Sequence, residues 1–335
     1  MENINLKKLA KELGLSPSTV SRALRGSHEI SQQTKDRVKA LAEKLGFQPN
    51  PHASSLRRSK SKTIAVIIPE IENNFFSQVM NGVEDVAQEK EYHVLIYLTH
   101  EDYKREADIL QVLRNGRVDG VMISVSNSTK TFDHLKDINE SGLPLVFFDR
   151  VVDSFDVPCV ITDDMDASFK ATEHLLNKKC KRIAFLSMSG SLSITSRRKK
   201  GYLKALEKNG MSGKECLLEC GTNDEANREL IRGLMKGPDR PDAVFAAVEK
   251  LAINTYEVCQ ELNIAIPKQL RVISFSNLSA AALFNPSLST IVQPAYEIGK
   301  EAAAVLFKLI EKKTLLPGER RSTFPSRIVE RRSTI

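Results

Sequence analysis

Two short helical patterns in residues 5–25 constrain the fold of this 335-residue chain more than any other feature. Apolar residues recur at helical spacing in both, namely Leu6, Leu9, Ala10 and Leu13 in the first and Val20, Ala23 and Leu24 in the second. Gly14 can adopt the left-handed conformation that ends the first helix. Ser16 can cap the second helix, and Pro17 suits its first position because no hydrogen bond is lost there. The pattern predicts a helix-turn-helix.

The exposed face of the second predicted helix suits DNA phosphates and base edges, because it carries hydroxyl and guanidinium groups. These groups belong to Ser18, Thr19, Ser21, Arg22 and Arg25. Residues 1–62 hold thirteen Lys and Arg against five Asp and Glu, a net charge of +8, whereas the whole chain carries +7. Positive charge confined to one part of a chain indicates a polyanionic partner. A basic solvated terminus without function is the alternative, but the caps and apolar spacing agree with the charge.

A third helix should begin at Ser31, which can act as its cap, and end at Gly46. Its apolar residues, which should close a small core, are Val38, Leu41, Ala42 and Leu45. Residues 48–62 contain two prolines among serines and basic residues and show no apolar periodicity. This segment is interpreted as a linker.

From Thr63 onward, short apolar runs alternate with amphipathic stretches. Buried strands are expected at 63–69, 93–98, 120–125, 144–149, 159–162, 181–187, 215–220, 242–248 and 271–276. Helices are expected near 76–90, 103–115, 132–141, 165–178, 196–209, 224–236, 249–263 and 295–312. Two such series predict two doubly wound, parallel-sheet α/β lobes. Sheets of this kind bind ligands beyond the carboxyl ends of their strands, so a ligand is expected between the lobes.

Ordered motifs extend along essentially the whole chain: SPSTVSRAL, NPHASSLR, TIAVIIP, NNFFSQVMNGVEDVA, RVDGVMI, PLVFFDR, KRIAFLS, RRKKGY, PDAVFAA and STIVQP. With this set the chain closely resembles the lactose-repressor family of bacterial transcription regulators. The resemblance implies a helix-turn-helix domain at 1–47, a hinge linker at 48–62 and a two-lobed effector-binding and dimerisation domain at 63–335, similar to periplasmic binding proteins. It places the first lobe at about 63–160 with a returning segment near 289–293. The second lobe is expected at about 161–288 and 294–335.

In this family the second helix enters the major groove, and the linker forms a short helix whose leucine wedges into the minor groove. Leu56 occupies the matching position, although it could instead pack on the neighbouring domain. A linker this short cannot hold a helix alone, so its ordering should await DNA and a partner subunit. Arg22 is expected to read a base, with a phosphate contact as the alternative. The expected DNA-binding residues are Ser16, Pro17, Ser18, Thr19, Ser21, Arg22, Arg25, Ser31, Asn50, Ala53 and Leu56.

The resemblance also implies the residues of an effector cleft. They are Phe75, Ser124, Asp149, Arg150, Arg198, Ser276 and Gln293. Arg198 is the strongest candidate, since a guanidinium group binds hydroxyls or carboxylates through several hydrogen bonds. The alternative is that Arg198 belongs to a solvated basic cluster at 197–200. Asp149 and Arg150 could equally form an internal ion pair. Closing the lobes on a ligand is expected to change the spacing of the two linkers in a dimer.

The chain departs from the family's sugar-binding pattern at two places. It has Val248 and Glu249 where Asn-Asp is usual, and Ser276 and Asn277 where Asp-Asp is usual. Loss of carboxylates with retention of two arginines favours an anionic effector, such as a sugar acid or phosphosugar, over an ordinary neutral sugar, which is the alternative.

Other chemistry is thinly represented. The five cysteines, an odd number without a CxxC pair, are expected to be reduced core residues, and no metal or cofactor is predicted. Without a signal-peptide pattern or a long apolar run, the chain is expected to be cytoplasmic, and nucleoid-associated when bound to DNA. The predicted function is a dimeric, ligand-responsive repressor of a palindromic operator and not an enzyme. A periplasmic-type solute-binding protein and an enzyme fused to a helix-turn-helix are the alternatives.

Overall fold

A computed structural model describes residues 6–24, 26–47, 60–188 and 192–335. The chain divides into two compact units, Met1–Ser61 and Lys62–Ile335. The first unit is helical, and the second contains two six-stranded sheets with helices on their faces. The predicted fold class, a small helical head with an α/β core of two lobes, is therefore confirmed.

The small unit contains helices α1 (Leu6–Leu13), α2 (Pro17–Leu24) and α3 (Gln32–Lys44). Ser16 Oγ accepts a hydrogen bond from the Thr19 amide at 3.1 Å, and Ser31 Oγ accepts one from the Thr34 amide at 3.3 Å. These side chains satisfy amides that have no partner within their helices. The buried core side chains come from all three helices: Leu9, Ala10, Val20, Ala23, Val38 and Ala42. Both predicted caps and the three predicted helices are present.

The large unit follows the predicted alternation of strands and helices. Its strands are β1 (Thr63–Ile68), β2 (His93–Leu98), β3 (Gly120–Ile123), β4 (Leu145–Phe148), β5 (Cys159–Thr162), β6 (Ile183–Met188), β7 (Cys216–Cys220), β8 (Ala243–Ala246), β9 (Arg271–Phe275), β10 (Ser289–Val292), β11 (Arg321–Phe324) and β12 (Arg327–Val329). Its α-helices are α4 (Asn74–Glu89), α5 (Tyr103–Leu113), α6 (Asp133–Glu140), α7 (Asp164–Asn177), α8 (Ser193–Lys208), α9 (Asp224–Lys236), α10 (Glu249–Glu261), α11 (Ala295–Ile310) and α12 (Pro317–Arg320). A 3₁₀ helix spans Ser279–Leu283.

The strands of the large unit form two sheets, one for each lobe. The first has the order β11-β5-β4-β3-β1-β2 and the second the order β12-β10-β9-β8-β6-β7. All pairings are parallel except β10 with β12, which is antiparallel. Because parallel strands end at the same edge, each sheet presents the loops after its strands to one side.

The strand pairing corrects the predicted lobe boundaries. The returning segment near 289–293 was expected in the first lobe, but β10 pairs with β9 in the second sheet. The segment 294–335 was expected in the second lobe, but α11 packs its apolar face on α4 and β11 pairs with β5 in the first, whereas β12 pairs with β10 in the second lobe as expected. The chain therefore crosses between the lobes after β5, after β10 and between β11 and β12.

Glycines allow two helix pairs to approach closely. Helices α4 and α11 approach through Gly82 and Gly299. A Cβ atom on Gly299 would lie 2.1 Å from the Val79 carbonyl oxygen, and a Cβ atom on Gly82 would lie 2.1 Å from the Tyr296 carbonyl oxygen. Helices α7 and α8 approach in the same way at Gly201, where a Cβ atom would lie 2.1 Å from the Met165 carbonyl oxygen. Neither helix pair could keep this backbone contact with a larger residue.

Strand β2 departs from the expectation of a buried strand. It is the last strand of the first sheet, and Leu95 and Ile96 are 40% and 44% exposed. β7 holds the same place in the second sheet and has an exposed residue in Leu217. An apolar run alone does not distinguish an edge strand from a central one.

Candidate functional site

A pocket between the two lobes collects side chains from the carboxyl ends of strands in both sheets. Its volume is about 40 Å³. It is lined by Asn73, Phe75, Phe76, Asp149, Arg150, Ile194, Arg198, Val248, Glu249, Phe275, Ser276, Asn277 and Gln293. Six of the seven predicted effector residues therefore meet around one cavity, which we call the interlobe pocket. Its volume is close to that of a single water molecule, so a sugar enters only if the lining side chains or the lobes move.

Arg198 is buried on α8 and does not belong to a solvated cluster. Its Nε donates to Asp164 Oδ1 at 2.7 Å, and its Nη1 donates to the Ala247 carbonyl oxygen at 2.6 Å. Its guanidinium carbon lies 3.7 Å from the centre of the Phe275 ring. The contact of Gly201 with α7 brings this part of α8 close to Asp164, so the helix packing orients the guanidinium group.

Asp149 and Arg150 form only a long ion pair with each other, because Arg150 is bound mainly by Glu101. Arg150 Nη1 donates to both carboxylate oxygens of Glu101, at 2.7 and 2.9 Å, whereas its Nε lies 3.9 Å from Asp149 Oδ2. Burial raises the pKa of Asp149 to about 6, although Arg150 and Arg198 both act to lower it. Ser124 lies outside the pocket lining and places its Oγ 3.5 Å from Asp149 Oδ2.

The two departures from the family pattern still leave a carboxylate at the pocket. Glu249 lines it and accepts a hydrogen bond from Ser276 Oγ. Both arginines of the pocket already face acidic partners, Glu101 for Arg150 and Asp164 for Arg198. An anionic effector was predicted from lost carboxylates with retention of these two arginines, and in the structure each arginine already has an acidic partner.

Two amide side chains connect the lobes at the edge of the pocket. Asn277 Nδ2 donates to Gln78 Oε1 on α4 at 2.9 Å and to the Gln293 carbonyl oxygen at 2.7 Å. Gln293 Nε2 donates to Thr162 Oγ1 at 3.1 Å, at the point where the chain leaves the first sheet. Movement of the lobes would strain or break these hydrogen bonds.

Several lining residues were not among the predicted effector residues. Asn73 precedes α4, Phe76 lies in its first turn, Ile194 lies in the first turn of α8, and Phe275 ends β9. Val248, Glu249 and Asn277 were noted only as departures. Their common signal is position, since each lies where a strand ends or the following helix begins.

The head presents most of the predicted DNA-binding side chains to solvent. Ser16, Pro17, Ser18, Arg22 and Ser31 are exposed, and Thr19 and Ser21 are partly buried. Arg22 Nη1 lies 2.7 Å from Glu29 Oε2, and both side chains are 53% exposed. Arg25, Asn50, Ala53 and Leu56 lie outside the described residues.

Within the described ranges, no cluster of three or more His, Cys, Asp or Glu side chains has the geometry to hold a metal ion. All five cysteines are free thiols, and four of them are buried, with Cys216 partly exposed. In the same ranges no helix has the length and hydropathy needed to cross a membrane.

The fold and the site define a protein with a helix-turn-helix domain and a two-lobed unit of the ligand-binding type. The family model for periplasmic binding proteins and the sugar-binding domain of the LacI family matches residues 61–329, and that for bacterial regulatory proteins of the lacI family matches residues 5–50. The chain therefore belongs to the LacI family of DNA-binding transcription regulators.

Individual relatives span the whole chain or its large unit. The HTH-type transcriptional regulator RegA of Clostridium saccharobutylicum is 30% identical over 333 residues, which is 99% of each chain. The lac repressor dimer bound to operator and the anti-inducer ONPF is 20% identical, covers 100% of both chains and has a TM-score of 0.86. A LacI family regulator of Enterococcus faecium with bound ribose is 25% identical, with a TM-score of 0.71 over 81% of this chain and 98% of that one.

Proposed function

We propose that this protein is a homodimeric repressor of a palindromic operator, controlled by a small neutral sugar or related polyol in the interlobe pocket. The single observation that carries the choice of ligand is the pairing of both pocket arginines with buried or half-buried carboxylates. The binding site of a neutral ligand needs hydrogen-bond donors and acceptors but no net positive charge.

The interlobe pocket offers the hydrogen-bonding groups that a polyhydroxylated ligand needs. Asp149 and Glu249 supply carboxylate acceptors, and Asn277 and Gln293 supply amides. Phe75 supplies an apolar surface for the carbon side of a sugar ring. The ribose-bound regulator of Enterococcus faecium supports a ligand of this class.

Control of DNA binding would follow from the three crossovers between the lobes. A sugar expands a pocket of about 40 Å³ and disturbs the Asn277–Gln78 and Gln293–Thr162 hydrogen bonds. The sugar and the operator each favour one lobe arrangement, so each changes the affinity for the other by the same factor.

Exposed apolar side chains on the large unit support the homodimer. Leu95 and Ile96 lie on the free edge of β2, and Leu283 on the 3₁₀ helix is 84% exposed. An apolar sheet edge of this kind is usually covered by a partner. Leu95→Lys should give a monomer in sedimentation velocity, whereas Val112→Lys, at a side chain of equal exposure on α5, should stay dimeric.

Selection of binding sites from random DNA with the full chain tests the operator. The expected product is a palindrome whose half-site centres lie about one helical turn apart, with a flexible central step. Enrichment of no sequence over competitor DNA would contradict the proposal. Leu56→Ala should reduce both the affinity for the selected site and its bending, because the wedge that kinks the minor groove is lost.

Calorimetric titration tests the ligand class. Neutral pentoses and hexoses are compared with the corresponding sugar acids. Binding of a neutral sugar that weakens in Glu249→Gln but not in Glu257→Gln, an exposed position on the same helix α10, is the expected result. Binding of sugar acids alone would reject a neutral effector.

A further inference from the structure

Helix α8 has a second cavity on the face that points away from the interlobe pocket. Ile194 and Arg198 line the interlobe pocket, whereas Ser196, Arg197 and Lys200 line the second cavity. Its volume is about 340 Å³, several times that of the interlobe pocket. We call it the α8 cavity.

The walls of the α8 cavity come from both lobes. One wall contains Val125, Ser126 and Thr129, which follow β3, and residues 151–154, which follow β4. Helix α8 forms the opposite wall. Two contacts already join these walls: Ser193 Oγ accepts from the Val151 amide at 3.2 Å, and Arg197 Nη2 donates to both oxygens of Asp153 at 2.8 Å. A ligand in the cavity would therefore touch both lobes.

Positive charge exceeds negative charge around the α8 cavity. Asp153 is the acidic residue of its lining, and it is shared by Arg197 and by Arg321, whose Nη2 lies 3.0 Å from Asp153 Oδ1. Lys200 also lines the cavity, and in the part of the chain that the structure describes it has no ion-pair partner. The lining therefore holds two cations, Arg197 and Lys200, against one carboxylate, a net charge of +1, and Arg321 outside the lining shares that carboxylate.

Donors in the lining are also left without acceptors. Arg197 Nη1 is buried and has no hydrogen-bond partner among the described residues. Ser196 is an exposed hydroxyl between Arg197 and the amino terminus of the 16-residue helix α8. The N-cap residue of α8, Leu192, provides no side-chain acceptor for the first amides. A buried guanidinium donor without an acceptor is unfavourable unless an anion completes it.

We propose that the α8 cavity binds a phosphoryl group, either inorganic phosphate or a small phosphate monoester. Arg197 Nη1 and Lys200 would hold its oxygens, and Ser196 would donate one further hydrogen bond. Because the ligand contacts both walls, it stabilises the lobe arrangement in which Arg197 reaches Asp153. The site does not depend on the operator or the sugar proposed above.

Calorimetric titration of the full-length protein with inorganic phosphate, ribose 5-phosphate and ribose tests the site. Saturable binding of phosphate or ribose 5-phosphate is expected, and their relative affinities distinguish the free ion from the ester. Lys200→Gln should weaken it about tenfold, as expected for loss of one charge-assisted hydrogen bond. Lys199→Gln, which removes a charge from the neighbouring position outside both linings, should leave the affinity unchanged.

Two further variants separate the α8 cavity from the interlobe pocket. Ser196→Glu adds a carboxylate at an exposed position of the cavity and should abolish binding of the phosphoryl group. Ser276→Ala changes only the interlobe pocket and should leave that binding intact. The proposal is overturned by absence of saturable binding, by equal losses in Lys199→Gln and Lys200→Gln, or by a loss in Ser276→Ala alone. Circular dichroism of each variant verifies that it is folded.

Discussion

Arg198 Nε lies 2.7 Å from Asp164 Oδ1 in an ion pair that joins α8 to α7 beside the interlobe pocket. The two side chains are 4% and 0% exposed, so neither charge is compensated by solvent. Burial raises the pKa of Asp164 above its usual range, while Arg198 opposes this shift. The pair thus holds the guanidinium group in the pocket, and each charge depends on the other.

Arg198→Met should lower the free energy of unfolding by about 3–5 kcal/mol, because it leaves the Asp164 carboxylate buried without a partner. The double variant Arg198→Met with Asp164→Asn should lose less than the sum of the single losses, since no unpaired charge remains. Urea denaturation at neutral pH measures these values. Lys208→Met on the same helix α8 breaks a more exposed ion pair with Glu173 of α7; it is the control and should cost below about 1 kcal/mol. Additive losses at Arg198 and Asp164 would contradict the coupling.

Asp149 should make the stability of the protein depend on pH. Its folded-state pKa is raised from 3.8 to about 6, so between these values the folded state holds a proton that the unfolded state has released. Stability from this group is present below pH 4 and is lost as the pH rises through 6, by up to about 3 kcal/mol.

The variant Asp149→Asn isolates this effect, because an amide does not titrate. Asp149 has a φ of +58°, and Asn is among the residues that tolerate this left-handed conformation. The unfolding free energy of the wild type relative to this variant should fall between pH 4 and pH 7. A difference that is constant over this range, measured by urea denaturation, would show that Asp149 does not carry the predicted shift.

Local sequence patterns predicted what depends on local structure. Ser16 and Ser31 were identified as caps because a cap satisfies amides within the next few residues. The pairing of Arg198 with Asp164 joins two helices and could not be inferred from either segment. Strand β10 was assigned to the wrong lobe from the family resemblance, and its own residues do not specify which strand it pairs with.

Glu29 should weaken DNA binding by competing for Arg22. The pair is half-exposed, and exposed pairs contribute about 0.2–1 kcal/mol, so DNA can displace Glu29 at a small cost. Glu29→Gln should raise operator affinity up to about fivefold in fluorescence anisotropy. Glu43→Gln removes the same charge from an exposed position on α3 and should give a smaller gain. Equal gains in both variants would indicate a general charge effect with no role for the Arg22–Glu29 pair.

Gly201 should be needed for the approach of α8 to α7 and thus for the position of Arg198. A Cβ atom there would lie 2.1 Å from the Met165 carbonyl oxygen, so the two helices must separate to admit it. Gly201→Ala should lower the free energy of unfolding by about 1–3 kcal/mol, as overpacking does elsewhere, and should weaken sugar binding in calorimetry. Gly233→Ala on α9 has no atom within 4 Å of the added Cβ and is the matched control. It should raise stability by about 0.5–1 kcal/mol, because alanine loses less conformational entropy in a helix. Stabilisation by both substitutions would contradict the close α7–α8 contact, because a Cβ atom at position 201 could then not lie 2.1 Å from the Met165 carbonyl oxygen.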